Sequence, residues 1–421
     1  MLSFPPILVR LLFNIFEACE HGMPWPSRWV TAKVCMLSKC DNPKSPFDAR
    51  PITVFGVLYR QWSRIRSREI LQYMASFMPV ELAASTKGVA ADAVACLITH
   101  IAETAVNRGE SMCGIGIDLT RCFNTLPRYP IILALRKLGV PEAYISAWDS
   151  MLRCMTRTLT VGNSQSILLP STTGAPEGCG MSVVAMACIT YWCGRFILDR
   201  VPPARPICYA DNWNVLSNTP KFLLDAIKCI EFFVQKLRLT INPKKSWLWS
   251  TRPSHRKNLR GTKIGSDVLP VVCNTSDLGC DLHYSRKVCK PTGKKRWSKA
   301  HRVCKKIAIS KAPKGFRRRL AKGAGISASN FGLNLQTVPK TQWKTLRTAI
   351  SRALGCCGAG ASPWLALATY CLDPQLGNLT TVCRFWRRFL KSFPTQLAFH
   401  SEPVIRWCFK NWAGGQLSQD T

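Results

Sequence analysis

The pattern of hydrophobic and polar residues predicts an alternation of helices and strands along most of the chain. Apolar residues at helical spacing mark the predicted helices at residues 6–22, 55–75, 90–108, 129–138, 141–153, 181–198 and 220–237. Apolar runs predict strands at 29–38, 113–119 and 238–249, and a hairpin at 157–169. The middle of the chain therefore follows the order strand, helices, hairpin, helix, strand. This order predicts an α+β fold with an antiparallel sheet and helices on one face.

A second predicted hairpin lies at residues 208–217, where Asp211 and Asn212 separate two apolar runs. Asp and Asn tolerate positive φ, so the pair predicts a tight turn that carries the Asp211 carboxylate at its tip. Asp118 ends the apolar strand at 113–119. If the two strands are neighbours, their carboxylates converge, as a site for two magnesium ions requires. Taken singly, each Asp has an ordinary structural interpretation as a strand-end cap or a turn residue.

The charge balance points to a polyanionic partner. The 421 residues include 58 Lys and Arg against 23 Asp and Glu, a net charge of +35. Nucleic acid is the leading partner, and an anionic membrane surface is the alternative. No acidic residue occurs from 282 to 372, and sixteen Lys and Arg lie between 286 and 322. We predict that this segment binds phosphates through Lys294, Lys295, Arg296, Lys299, Arg302, Lys305 and Lys306, with Trp297 and Phe316 stacking on bases or sugars. A merely solvated basic face is the alternative.

Cysteine and membrane signals are weak. The 21 cysteines include no Cys-x-x-Cys pair, and the first apolar run has no basic segment before it. The cysteines are therefore interpreted as small buried residues in a reducing compartment. A zinc site formed by Cys280, His283, His301 and Cys304 is a minor alternative. The apolar stretch 181–198 is interrupted by Arg195, which favours a buried core helix over a membrane span.

From about residue 10 to 282 the sequence resembles the reverse transcriptase domain of non-LTR retrotransposons and group II introns. Eight short blocks follow the order that this family has, and each of them alone is weak. The blocks are a finger strand of Trp29 and residues 32–39 ending at Lys39, Arg50-Pro51-Ile52-Thr53 with Tyr59-Arg60, Ser85-Thr86-Lys87-Gly88 with Ala91-Asp92-Ala93, residues 116–124 (motif A), residues 174–182 (motif B), Tyr209-Ala210-Asp211-Asn212 (motif C), residues 239–246 (motif D) and Asp277-Leu278-Gly279-Cys280 (motif E).

The resemblance implies a right-hand polymerase fold with a ferredoxin-like palm and a helical, basic thumb. It implies fingers at 1–110 with an N-terminal helix, a palm at 111–282 and a thumb at 283–340. Residues 341–421 continue the thumb or form an accessory region. It also implies an RNA-directed DNA polymerase whose partners are an RNA template, a DNA primer or duplex and deoxynucleoside triphosphates, with no membrane.

Roles for individual residues follow from the same resemblance. Asp118, Asp211 and the carbonyl of Leu119 would hold two Mg²⁺ ions, with Mn²⁺ as the alternative ion. Lys39 and Arg50 would bind the triphosphate. Gly178 would let the backbone approach the incoming base pair. Lys245 would lie near the leaving pyrophosphate, and Asn212 would complete the catalytic set.

Phe123 bears on the choice of nucleotide. It lies five residues after Asp118, where the family places an aromatic steric gate against a ribose 2′-hydroxyl. This position favours DNA synthesis over the alternative, an RNA-dependent RNA polymerase. The structural alternative is that Phe123 is simply a core residue.

Three residues depart from the family pattern. Asn212 replaces the usual second Asp, Glu177 replaces a Gln and Asn124 replaces a frequent Asp. Because Asn212 lacks the negative charge of an Asp, metal binding should be weaker. The departures leave open a catalytically weakened scaffold that binds RNA.

The chain is expected to be intracellular, and nuclear if it comes from a non-LTR element. It is either a polymerase-only protein or part of a polyprotein with an endonuclease or other domains.

Overall fold

The structure is a computed structural model that describes residues 5–39, 42, 45, 48–82, 89–285, 291–332, 338–356, 362–369 and 372–393. These residues belong to two compact units. The first contains Met1–Lys87, Cys113–Leu248 and Lys257–Val271, and the second contains Gly88–Met112, Trp249–Arg256 and Val272–Thr421. The predicted block at 85–88 and the predicted accessory region after 393 lie outside the described residues. The boundaries of the four predicted domains stay predictions.

The bounds of the regular elements agree with most of the predicted ones. The helices are α1 Pro6–Glu20, α2 Ser27–Val30, α3 Val57–Met74, α4 Ala91–Asn107, α5 Cys122–Thr125, α6 Arg128–Lys137, α7 Glu142–Cys154, α8 Gly180–Arg200, α9 Pro220–Lys236, α10 Pro253–Leu259, α11 Pro291–Ala308, α12 Lys314–Leu320, α13 Ser327–Asn330, α14 Lys340–Leu354, α15 Pro363–Thr369 and α16 Pro374–Ser392. The strands are β1 Thr31–Ser38, β2 Ala49–Val54, β3 Cys113–Asp118, β4 Thr156–Val161, β5 Ser164–Gln165, β6 Leu169–Pro170, β7 Arg205–Tyr209, β8 Asn212–Ser217, β9 Trp247–Ser250, β10 Lys263–Ile264, β11 Asp267–Val268, β12 Val271–Val272, β13 Asn274–Asp277 and β14 Cys280–His283.

The described residues form two five-stranded sheets, and one of them has the predicted antiparallel arrangement. Its strands lie in the order β12-β9-β3-β8-β7, and β8 pairs antiparallel with both β3 and β7. The other sheet has the order β2-β1-β4-β5 with β6 beside β4, and its β1 and β4 are parallel. Helix α8 connects β3 to the β7–β8 hairpin, and α9 connects β8 to β9. This β-α-β-β-α-β order with the fourth strand beside the first is the ferredoxin-like arrangement, so the predicted α+β class and palm are confirmed.

The apolar helix α8 is a core element of the first unit. It is long and apolar enough to cross a membrane by composition alone, but 67% of its most apolar stretch is buried. It packs against α3, α6, α9 and β7. The prediction of a buried core helix is therefore confirmed.

The predicted strand at 238–249 is wrong in its first half. Ile241 forms only an isolated antiparallel bridge with Leu119, and Pro243–Lys245 form a 3₁₀ turn before β9 begins at Trp247. Pro243 has no N–H to donate and a fixed φ, so a continuous strand cannot pass through it. The indole of Trp247 crosses β3 at Gly116, where a β-carbon would lie 2.4 Å from the ring.

The second unit contains a separate helical core beneath its basic surface. Helix α11 turns Trp297, Ala300, Cys304 and Ile307 toward α14, and the Trp297 ring meets the Trp343 ring edge to face at 4.9 Å. Trp297 is only 9% exposed, so its predicted stacking on bases is wrong. Its spacing with the other three residues matches a buried helical stripe.

No group of three His, Cys, Asp or Glu that could hold a metal occurs in the described part of the chain, which includes the four residues of the alternative zinc site.

Glu103 on α4 gives a pH-dependent prediction. Burial raises the pKa of Glu103 from about 4.5 to about 7. A raised folded-state pKa adds stability that is present below the unfolded value and is lost as the pH rises through about 7. We expect Glu103→Gln to raise the free energy of unfolding at pH 8 by on the order of 1–3 kcal/mol, and by roughly half as much at pH 5.5. Urea unfolding at the two pH values measures this difference.

The matched control is Glu17→Gln on the exposed face of α1. It should leave the unfolding midpoint unchanged at both pH values. An equal gain for Glu103→Gln at pH 5.5 and pH 8 would contradict the assignment of the effect to ionisation.

Candidate active site

The hairpin that carries Asp211 has a two-residue loop. Tyr209 pairs with Asn212, so the loop is Ala210-Asp211 and Asn212 is already in β8. The positive φ, +52°, falls on Ala210 and not on the predicted Asp-Asn pair. A β-carbon in this left-handed region costs roughly 1 kcal/mol. The Ala210 carbonyl accepts hydrogen bonds from Thr190 Oγ1 at 3.2 Å and Trp213 Nε1 at 3.1 Å, and these contacts hold the loop in its strained conformation.

Asp118 lies on the strand next to this hairpin. Its partner in the β3–β8 register is Asn212, so Asp118 and Asp211 lie at the same end of two neighbouring strands. The motif D turn holds Asp118 from the other side. The Asp118 N–H donates to Ser246 Oγ at 3.2 Å, and its carboxylate accepts from Asn242 Nδ2 at 3.2 Å. Lys245 Nζ lies 3.5 Å from the same carboxylate, which brings the predicted Lys245 to the site.

The two carboxylates interact electrostatically. Burial, and then the charge of Asp118, raise the pKa of Asp211, while Lys245 and Arg50 act in the opposite direction. Burial also raises the pKa of the Cys122 thiol next to the pair, and both carboxylates add to that shift. Negative charge therefore accumulates at the ends of β3 and β8. A divalent cation with oxygen ligands suits such a site.

The oxygen atoms around the pair also fit a divalent metal. The bridge between residues 119 and 241 uses the carbonyls of Thr240 and Asp118, which accept from Thr120 N and Asn242 N, and it leaves the Leu119 carbonyl oxygen outside this pairing. Within the described ranges no third His, Cys, Asp or Glu joins Asp118 and Asp211. Further ligands from the protein would therefore be neutral oxygens such as those of Leu119 and Asn212.

Glu177 connects the carboxylates to the predicted triphosphate-binding residues. Burial raises the pKa of Glu177, and the nearby Asp211 adds to the increase. Asn124 Nδ2 donates to Glu177 Oε1 at 2.8 Å, and Arg50 and Lys39 also favour the charged form. Glu177 thus lies within electrostatic range of Lys39, Arg50 and Asp211. Two of the three departures from the family pattern, Asn124 and Glu177, contact each other.

The turn around Glu177 is fixed by main-chain contacts. Thr53 N donates to the Glu177 carbonyl at 2.7 Å, and Ala175 N donates to the Phe123 carbonyl at 2.7 Å. Gly178 has φ +115°, and a β-carbon there would lie 2.3 Å from the Thr53 carbonyl oxygen. The described structure thus requires Gly178 for the close approach to β2. Phe123 lies on α5 and packs, partly buried, against the core of the first unit.

One supporting residue, Arg128, gave no sequence signal. The Arg128 guanidinium donates to the carbonyls of Gly174 and Leu152 at 2.9 and 2.7 Å and to Ser171 Oγ at 3.0 Å. Burial is the largest cause that lowers the pKa of Arg128, to about 10. Arg128 holds the start of the motif B turn, but its partners are distant in sequence. Asn242 could have been found, because it belongs to the motif D block.

The predicted phosphate-binding residues lie on α11 in the second unit. Lys294, Lys295, Lys299, Arg302, Lys305 and Lys306 are exposed. Arg296 differs from them, because its guanidinium donates to the Phe331 carbonyl at 2.8 Å and lies 4.6 Å from the Phe331 ring centre. The exposed cations therefore form one surface, and Arg296 has a structural partner.

Residues 42–273 match the family described as reverse transcriptase (RNA-dependent DNA polymerase). Over 236 residues the chain is 22% identical to the retrovirus-related Pol polyprotein from type-1 retrotransposable element R2 of Popillia japonica. That alignment covers 52% of this chain and 32% of the polyprotein, so the matched region spans about a third of that relative.

Two solved telomerase structures are also similar to the chain. Apo telomerase from Candida tropicalis is 10% identical, with a TM-score of 0.50 and coverage of 96% of this chain and 74% of that one. Telomerase from the same organism in complex with a TWJ fragment of telomeric RNA is 13% identical, with a TM-score of 0.48 and coverage of 96% and 68%. At these identities the first similarity concerns the fold alone.

The contact between Asn124 and Glu177 generates a double-mutant prediction. Asn124→Asp would place two carboxylates together in a partly buried site and should lower the free energy of unfolding by roughly 1–3 kcal/mol. The double variant Asn124→Asp/Glu177→Gln restores a carboxylate–amide pair with its direction reversed. We expect a coupling energy of about 1–2 kcal/mol from urea unfolding of the wild type, both single variants and the double variant. Additive effects would contradict the contact.

Proposed function

Because the chain belongs to the reverse transcriptase family, we propose that it is an RNA-directed DNA polymerase that adds deoxynucleotides to a primer 3′-hydroxyl. One observation carries the proposal: Asp118 and Asp211 converge at neighbouring strand ends. Arg50 lies in electrostatic range of Asp211, and Lys39 lies in electrostatic range of the neighbouring Glu177, so both supply the positive charge that a nucleoside triphosphate requires.

We further propose that Asp118, Asp211 and the Leu119 carbonyl hold two Mg²⁺ ions, with Mn²⁺ as an alternative. When bound, such ions lower the pKa of the primer hydroxyl and neutralise charge on the leaving pyrophosphate. Asn212 offers an oxygen without a negative charge. Metal binding should therefore be weaker than with a third carboxylate.

The side chains around the metal ligands have distinct proposed tasks. Arg50 suits two parallel hydrogen bonds to a phosphate, and Lys39 suits a single mobile charge. Lys245 contacts Asp118, and its side chain is 67% exposed. It can therefore exchange this partner for the pyrophosphate oxygens. The Asn124 hydrogen bond holds one Glu177 oxygen, which limits how closely this carboxylate approaches the incoming phosphates.

An RNA template paired with a DNA primer is the proposed nucleic-acid partner. The exposed cations of α11 can neutralise phosphates, and no acidic residue from 282 to 372 opposes them. Endonuclease or other domains of a larger polyprotein are further proposed partners.

Asn212 favours a second function, a catalytically weakened protein that still binds RNA. The lack of a carboxylate at Asn212 lowers the affinity for metal. Nucleic-acid binding by the basic surface of the second unit does not depend on that metal. Duplex binding without primer extension in either metal would support this second function.

Primer extension on an RNA template tests the polymerase proposal. We expect extension with deoxynucleotides, and a loss on the order of a thousandfold for Asp118→Ala because a metal ligand is removed. The control is Asp199→Ala, an exposed carboxylate on α8 paired with Arg195. It should retain full activity. An Asp118→Ala variant that extends primers normally would refute the proposed site.

The role of Phe123 is tested by the competition between ribonucleotides and deoxynucleotides. A smaller side chain in Phe123→Val should relax a steric gate. We expect the preference for deoxynucleotides, as a ratio of kcat/KM values, to fall by roughly 10- to 100-fold. Phe232→Val, at an exposed position on α9, is the control and should leave the ratio unchanged. A wild-type preference for ribonucleotides would favour an RNA-dependent RNA polymerase instead.

A further inference from the structure

A groove between α11 and α14 lies entirely within the second unit. It encloses about 590 Å³, within the range of about 300–1,000 Å³ that accommodates small ligands. Basic side chains from both helices line it, including Lys305, Lys306, Lys344 and Arg352. The sequence predicted the α11 cations but did not single out those of α14.

The charge of the groove specifies an anion. The chain has no Asp or Glu from 282 to 372, so neither helix carries an acid that could neutralise Lys344, Arg352 or the α11 lysines. Lys344 and Arg352 are exposed. Like charges that line one groove repel each other, and a polyanion removes that repulsion.

The apolar part of the groove lining distinguishes single strands from duplexes. Ile309 and Ala349 are apolar members of that lining, and Ile309 is 85% exposed. A duplex presents phosphates outward and covers its base faces by stacking. An unpaired base has a free apolar face that can cover Ile309 while its phosphates reach the cations.

Two threonines favour RNA over DNA. Thr345 Oγ1 donates to the Gln342 carbonyl at 2.9 Å, and Thr348 Oγ1 donates to the Lys344 carbonyl at 3.1 Å. Both threonines line the groove, and because each hydroxyl proton is donated within α14, each hydroxyl oxygen can accept a hydrogen bond from a ligand. A ribose 2′-hydroxyl can donate to them, whereas deoxyribose has no such donor.

We propose that this groove binds an unpaired stretch of RNA. The groove shares Lys305 and Lys306 with the α11 surface proposed above for the template–primer duplex, so this inference rests on the proposed function and deepens it, whereas Lys344, Arg352 and Ile309 belong to the groove alone. Its ligand is recognised by phosphate charge, an apolar base face and the 2′-hydroxyl together.

Equilibrium binding to the full chain, without nucleotides, tests the proposal. The probes are a labelled single-stranded RNA, a single-stranded DNA of the same sequence and an RNA duplex. We expect Lys344→Ala/Arg352→Ala to weaken single-stranded RNA binding at least tenfold. The salt slope should fall by about 1.4, since two phosphate contacts contribute about 0.7 each. Ile309→Ser should weaken single-stranded RNA several-fold without affecting duplex binding.

The charge-matched control is Arg388→Ala/Lys391→Ala, two exposed cations of α16. It should change the affinity for single-stranded RNA less than twofold. The proposal is overturned if this control weakens binding as much as Lys344→Ala/Arg352→Ala does. It is also overturned if the groove variants weaken duplex binding equally, or if DNA binds as tightly as RNA. Loss of primer extension alone leaves this test unaffected, because binding is measured without catalysis.

Discussion

The first unit depends on one electrostatic constraint: two carboxylates, Asp118 and Asp211, are held together at a partly buried end of the sheet. The β3–β8 register fixes their proximity, because Asp118 pairs with the residue next to Asp211. The raised pKa of Asp211 shows that burial and a like charge oppose ionisation in the absence of a cation. The surrounding fold therefore has to hold two groups that would separate if they were free to move, and the contacts around them do so.

Those contacts act mostly on the backbone. Thr190 and Trp213 hold the Ala210 carbonyl, the motif D turn holds the main chain of Asp118, and Thr53 holds the Glu177 carbonyl. This arrangement positions the carboxylates while leaving most of their oxygen atoms for a ligand. It also changes the meaning of the departures from the family pattern. Asn124 and Glu177 form one carboxylate–amide pair, so these two departures do not by themselves indicate a loss of function. Asn212, the third departure, is not part of that pair.

Sequence reasoning succeeded where local pattern determines structure. The α+β class, the buried helix α8 and the Asp118 and Asp211 positions all follow from apolar periodicity or from short motifs. Trp297 was misassigned because its charged neighbours were considered before its spacing with Ala300, Cys304 and Ile307, which marks a core stripe. The contact of Arg128 with Gly174 and the positive φ of Ala210 could not be predicted, because each depends on residues that come together only in the fold. Pro243, in contrast, was a readable signal that the predicted strand at 238–249 is interrupted.

Each unit concentrates charges of one sign, negative in the first unit and positive in the second. In the first, two carboxylates are held at one sheet end. In the second, α11 and α14 hold cations on facing surfaces with no acidic residue between 282 and 372. Neither arrangement is favourable by itself, since each concentrates like charge that hydrophobic packing has to offset. In each case a ligand of opposite charge removes the repulsion. Buried residues near each site do not neutralise these charges, because the Cys122 thiol is kept un-ionised by its raised pKa and Trp297 belongs to the apolar core of α11 and α14.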